Sequence, residues 1–202
     1  MALVLVAPGR WERWVGNFAD RHGGVDLRAD DRLHGTAPDG SVFTARLPFD
    51  LAYAGAADPA EFSVAARPPA VWGVLLVRKG GFAVARLAGT DLAEHKIGQR
   101  HVQGRTKAGG QSQQRFARRR DNQARAAYAA AADHAARILR AGPVVTGGDR
   151  AAVAEVLADD RLDSLVVVER WLAVPDPRRA VLDRAVVDAA AIEVDVHNAP
   201  SG

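Results

Sequence analysis

From residue 71 to residue 197 the chain spells out one order of elements, and few folds accept that order. Residues 71–77 form an apolar run, Lys79-Gly80-Gly81 a turn, and residues 82–87 a second apolar run. That pattern predicts a hairpin, with glycine supplying the left-handed backbone such a turn uses. Residues 91–103 follow as a third strand. Residues 113–140 then carry Phe116, Arg120, Ala124, Ala127, Ala131 and Ile138 at helical spacing among many alanines, and Gly142-Pro143 stops the helix. Next come a strand at 144–145, a helix at 150–158 with Asp149 placed to cap it, a strand at 165–168, a helix at 176–190 and a strand at 192–197. Three strands, a long helix and two further alternations predict an α/β fold, a mixed sheet packed with helices.

The first third is of a different kind. A strand at 3–6 precedes Trp11, Trp14, Val15 and Phe18, which repeat at i, i+3, i+4 and i+7 and so mark one apolar helix face. His22-Gly23-Gly24 ends that helix. Strands are expected at 25–27, around Leu33 and at 42–47, with a turn at Pro38-Asp39-Gly40. Residues 50–69, rich in Ala, Pro and Gly, read as a connection holding a short helix at 59–65. The expected division is a small N-terminal helix-and-hairpin unit with linker over 1–69, serving packing or docking, and a larger domain over 70–202.

Composition removes several classes of chemistry. The 202 residues contain no cysteine, which excludes disulfides, thiolate metal sites and thiol catalysis. The apolar run after Met1 is too short for a signal sequence, and no uncharged run approaches membrane length. A soluble cytoplasmic protein without a membrane partner is the expectation.

Charge is distributed unevenly. The chain holds 27 Lys and Arg against 24 Asp and Glu, yet residues 96–125 contribute nine cations and a single acid, Asp121. The nine are Lys96, Arg100, Arg105, Lys107, Arg115, Arg118, Arg119, Arg120 and Arg125. The rest of the chain is mildly acidic, so the basic character belongs to one local polyanion-binding arm. Within the arm, residues 104–112 include three glycines and no large apolar residue, which predicts a mobile loop. At its end stands Gly109-Gly110-Gln111. Two glycines let a backbone approach a ligand closely. The amide can orient a water or stabilise an oxyanion, while the cations hold phosphates without reading sequence.

The run Gly109-Gly110-Gln111-Ser112-x-x-Arg115-Phe116-Ala117-Arg118-x-Arg120 resembles the Gly-Gly-Gln motif of archaeal and eukaryotic class I release factors. The match extends into the helix after the tripeptide, which makes it specific. The family most similar is that of the Vms-like release factors, in its actinobacterial branch. The resemblance covers roughly the last two-thirds of the chain and is sharp around the loop. It implies a ribonuclease-H-like catalytic domain and a ribosome-associated, codon-independent peptidyl-tRNA hydrolase that frees nascent peptide on stalled ribosomes or large subunits. It further implies that Gln111 is catalytic, that Gly109 and Gly110 shape the loop, and that the nine cations contact large-subunit RNA. Peptidyl-tRNA is then the substrate, no cofactor or metal is called for, and a monomer is expected. A stop-codon-reading domain and a partner-binding domain are not expected, nor are ankyrin repeats or a zinc finger. Gln113 and Gln114 leave open which glutamine acts, because some relatives shift it within the loop. A non-catalytic RNA- or ribosome-binding protein of the same fold is the alternative.

Other residues suggest weaker readings. Asp149, Asp159, Asp160 and Asp163 could form a metal-dependent nuclease cluster, though Asp149 reads more simply as a helix cap. His22, His34, His95, His101, His134 and His197 lack metal-ligand spacing. Ser41 and Ser112 have no evident base partner. Trp11 and Trp14 are expected in the core, with partner docking the minority reading.

Overall fold

The computed structural model describes residues 2–99 and 111–200, with the side chains of 111–123 left aside. In chain order the elements are β1 (Ala2–Val6), α1 (Trp11–His22), β2 (Asp26–Ala29), β3 (Leu33–Thr36), β4 (Val42–Arg46), α2 (Pro59–Ala65), β5 (Val71–Arg78), β6 (Gly81–Ala88), β7 (Asp91–Gln99), α3 (Gln111–Ile138), β8 (Pro143–Gly148), α4 (Arg150–Leu157), β9 (Val166–Leu172), α5 (Arg179–Ala189) and β10 (Ile192–His197). Two compact units result. One is Met1–Pro68 with Val187–Gly202, the other Pro69–Val186.

The first unit is an antiparallel sheet in the order β1-β10-β4-β3-β2. The periodic face of α1 buries Trp11, Val15 and Phe18, and Gly23 closes the helix in the left-handed conformation at φ 79°. The Phe43 ring stands edge-on to Trp11, Trp14 and Phe18, at 5.8, 5.1 and 5.0 Å. Gly35 on the neighbouring strand leaves the room, since a Cβ there would collide with the Phe43 ring. Burying each such aromatic is worth about 1.5–3 kcal/mol, so this cluster is the unit's main source of stability, and Trp11 and Trp14 belong to it.

Residues 192–197 correct the sequence-based division. They do not close the second unit. As β10 they pair with β1 through Val194↔Val4 and with β4 through Val194↔Ala45. Ile192 and Val194 are buried in the first core, while Arg46 holds Glu193 and Asp195 at 2.5 and 2.9 Å. The expected helix-and-hairpin is therefore a three-strand meander completed by the two ends of the chain.

The second unit is a mixed sheet in the order β7-β6-β5-β8-β9. β5 pairs antiparallel with β6 and parallel with β8, β6 pairs antiparallel with β7, and β8 pairs parallel with β9. Six consecutive buried residues, Trp72 to Val77, suit β5 to the centre. The β5–β6 turn differs from expectation in its cause, because neither Gly80 nor Gly81 is left-handed. Gly81 is needed for close approach instead, as a Cβ there would strike the carbonyl of Gly98 on β7. α3 lays Tyr128, Ala131, Ala132, Ala135 and Ile138 into a core with Leu75, Val77, Phe82, Val84, Leu139 and Val144. Asp149 caps α4, accepting from the N–H of Ala151 at 3.0 Å and of Ala152 at 3.2 Å. Among the described residues no helix is long and apolar enough to cross a membrane.

Candidate nucleic-acid interface

The basic segment begins on β7, the edge strand next to β6, and ends in α3. Lys96 on β7 faces solvent, opposite Val84 in the register. Arg100, Arg105, Lys107, Gly109 and Gly110, with the expected mobile loop, lie outside the described residues, as does His101.

Gln111 is the first residue of α3, where a later helix start at residue 113 was expected. At 28 residues the helix is about 42 Å long. Its register sorts the cations. Counting 100° per residue, Gln111, Arg115, Arg118 and Arg125 fall within one narrow stripe. The described continuation of that stripe is exposed at Arg125, Ala129 and Asp133, and Ala136 further along is half-buried against the core. Arg120 falls half a turn from Gln111 in the same count. Arg119 lies at the border of the stripe.

The carboxy-terminal half of α3 is fixed to β6 and β7. Phe82 stacks on His134 with 5.6 Å between ring centroids. A Cβ on Gly98 would collide with the same Phe82 ring. Glu94 on β7 meets Arg137 of α3 at 2.5 Å and Arg86 of β6 at 3.6 Å. The hydrogen bond from Arg137 holds the Glu94 carboxyl below the usual carboxylate range. Burial lowers the His134 pKa, and the charges of Lys96 and Arg137 add to the effect. Burial and these charges therefore favour the neutral imidazole. Sequence reasoning missed this bracket. Its members come from three elements, and the only local hint is Arg137 lying at the edge of the exposed side of α3.

The remaining candidates have structural roles. Asp159 accepts from the backbone N–H of Arg161 and from its guanidinium, which pulls its pKa down to about 2. Arg161 in turn reaches Asp133 on α3 at 2.8 Å. Among the described residues no group of three or more His, Asp or Glu side chains is placed to hold a metal. His22 meets Asp39 at 2.7 Å, His34 meets Asp30 at 3.0 Å, and Arg179 donates to His95 at 3.1 Å. Ser41 is buried, and its hydroxyl accepts from the N–H of Ala199.

Two sheets with helices, and one strongly basic segment opening the longest helix, define a mixed α/β protein. The chain belongs to the Actinobacteria/Chloroflexi VLRF1 release factor family, whose model matches residues 70–195. Among solved structures it is similar to one described as the Vms1 mitochondrial localization core, with a TM-score of 0.41 at 10% identity, covering 92% of this chain and 80% of that one. It is also similar to the archaeal translation termination factor aRF1, with a TM-score of 0.37 at 14% identity, covering 93% of this chain and 63% of that one. No curated protein matches the chain.

Proposed function

We propose that this protein is a metal-independent peptidyl-tRNA hydrolase that frees nascent peptide on stalled ribosomes or large subunits without reading a codon. The observation that carries the reading is the position of Gln111: it completes Gly109-Gly110-Gln111, opens α3 and heads the stripe of Arg115, Arg118 and Arg125. The first N–H groups of a helix lack intrahelical partners. Together with the Gln111 amide, they can meet the oxyanion that forms as water adds to the ester carbonyl. The ester C–O bond then breaks, and the terminal adenosine's 3′-oxygen leaves as a hydroxyl. The neighbouring 2′-hydroxyl of the substrate relays the proton.

In this reading Lys96, Arg100, Arg105, Lys107, Arg115, Arg118, Arg119 and Arg125 hold large-subunit RNA, and Gly109 and Gly110 shape the approach. Arg120 contributes less, by its register. The second unit is a ribonuclease-H-like domain, a reading supported by its third-second-first-fourth-fifth strand order with only the second strand antiparallel to the first. The protein acts as a monomer in the cytoplasm.

The test is peptide release from ribosome-bound peptidyl-tRNA with no stop codon in the decoding site. Release by the wild type, lost in Gln111→Ala with ribosome binding retained, is the expected result. Equal release by both would move the chemistry to Gln113 or another group. Absence of release by either, with binding intact, would make the protein a non-catalytic ribosome binder.

A further inference from the structure

The first unit contains a surface of the opposite electrostatic sign. Beyond β4, Phe49 and Asp50 are both left-handed, at φ 62° and 56°, and they turn the chain into an irregular segment before α2. That segment and α2 enclose a groove of about 660 Å³ walled by Leu47, Leu51, Tyr53, Val64 and Ala65. Leu51 and Val64 are 43% and 54% exposed, large apolar side chains left to solvent along one groove. Residues 47–66 hold three acids, Asp50, Asp58 and Glu61, and no cation. Glu61 itself lines the groove. Burial raises the Tyr53 hydroxyl pKa, and the charges of Glu61 and Asp58 raise it further, so their field reaches the groove floor.

Two properties select the occupant. Most of the lining is open to solvent, whereas small-ligand sites enclose most of their ligand. An acidic rim repels phosphates and attracts cations. We propose that this groove docks a peptide segment of a partner protein in which apolar side chains stand beside lysine or arginine. The proposal is independent of the peptide-release reading.

The test uses the full chain and a labelled amphipathic peptide of leucine and lysine at helical spacing, followed by fluorescence anisotropy. The same peptide with glutamate for lysine is the control. Saturable binding of the lysine peptide alone is expected. Val64→Ser should weaken it about tenfold by removing exposed apolar contact. Asp58→Asn with Glu61→Gln keeps acceptors for the backbone hydrogen bonds at Glu61 and Ala56 and should abolish most of the salt dependence of binding. Thermal melts of each variant distinguish lost docking from lost fold. The proposal is overturned if the lysine peptide does not bind, if the glutamate peptide binds as well, or if Val64→Ser binds like the wild type. Self-association that depends on Leu51 and Val64 in sedimentation would also overturn it, by making the occupant a second copy of the chain.

Discussion

The ring of Phe82 on β6 stacks against the imidazole of His134 on α3, 5.6 Å between centroids, and covers Gly98 of β7. One contact thus joins the last turns of the helix to the end of the strand on which the basic segment begins. The Glu94–Arg137 pair repeats the connection a few residues back along β7. The segment's two ends therefore take their positions from a packed core rather than from local sequence.

Gly98→Ala should be felt at once, because its Cβ would push the Phe82 ring from His134. The expected loss is about 1–3 kcal/mol of unfolding free energy, as for other overpacking changes, measured by urea denaturation. Pairing it with Phe82→Leu should recover part of the loss, and a double-mutant cycle would show that coupling. Additive losses would mean that the two residues do not meet.

His134 gives the second unit a pH dependence. Burial lowers its pKa below the ordinary 6.5. A base whose folded pKa is depressed binds fewer protons when folded than when unfolded. Its effect therefore destabilises the fold as pH falls through 6.5, and levels off below the folded pKa. Denaturation midpoints should decline over that window, and His134→Gln should flatten the decline. An unchanged slope would show that another group titrates.

The helix register makes a distinction among the arginines that total charge cannot. Replacing Arg115, Arg118 or Arg125 by glutamine should lower ribosome affinity and reduce the salt slope of binding by about 1 each. Arg120→Gln should leave the slope close to the wild-type value, since Arg120 falls half a turn from Gln111 in the 100° count. Equal effects at all four positions would remove the stripe as the organising feature.

Truncation after Ala191 deletes β10 and tests the division of the chain. β1 and β4 would lose their shared neighbour, and Arg46 would lose Glu193 and Asp195. The first unit should lose its cooperative melt, read from the near-ultraviolet signal of Trp11 and Trp14. A persistent transition of normal amplitude would show that the remaining three-strand meander is sufficient.

Much of the fold was legible because its signals are local. The face of Trp11, Val15 and Phe18 gave α1, and Gly23 gave its end. The short helix at 59–65 matched α2, and Asp149 marked the start of α4. The Gly-Gly-Gln run and the arginines after it pointed to the family. The reason assigned to the β5–β6 turn was wrong even though the hairpin was right. Chain reversal and close approach both call for glycine, and a single sequence does not separate them.

What the sequence by itself determined was the order and kind of elements, the caps, the concentration of charge in residues 96–125 and the motif at Gln111. Only the tertiary structure decided that β10 enters the first sheet, that Phe82 joins Gly98 to His134, and that Leu51 and Val64 share an acidic groove. The physical reason is the range of the interactions. Periodicity, capping and charge density act within a few residues, whereas strand pairing and core contact join residues far apart in the chain. An alternating strand such as Ile192–His197 can satisfy any sheet that offers an open edge, and which edge it takes is settled by packing.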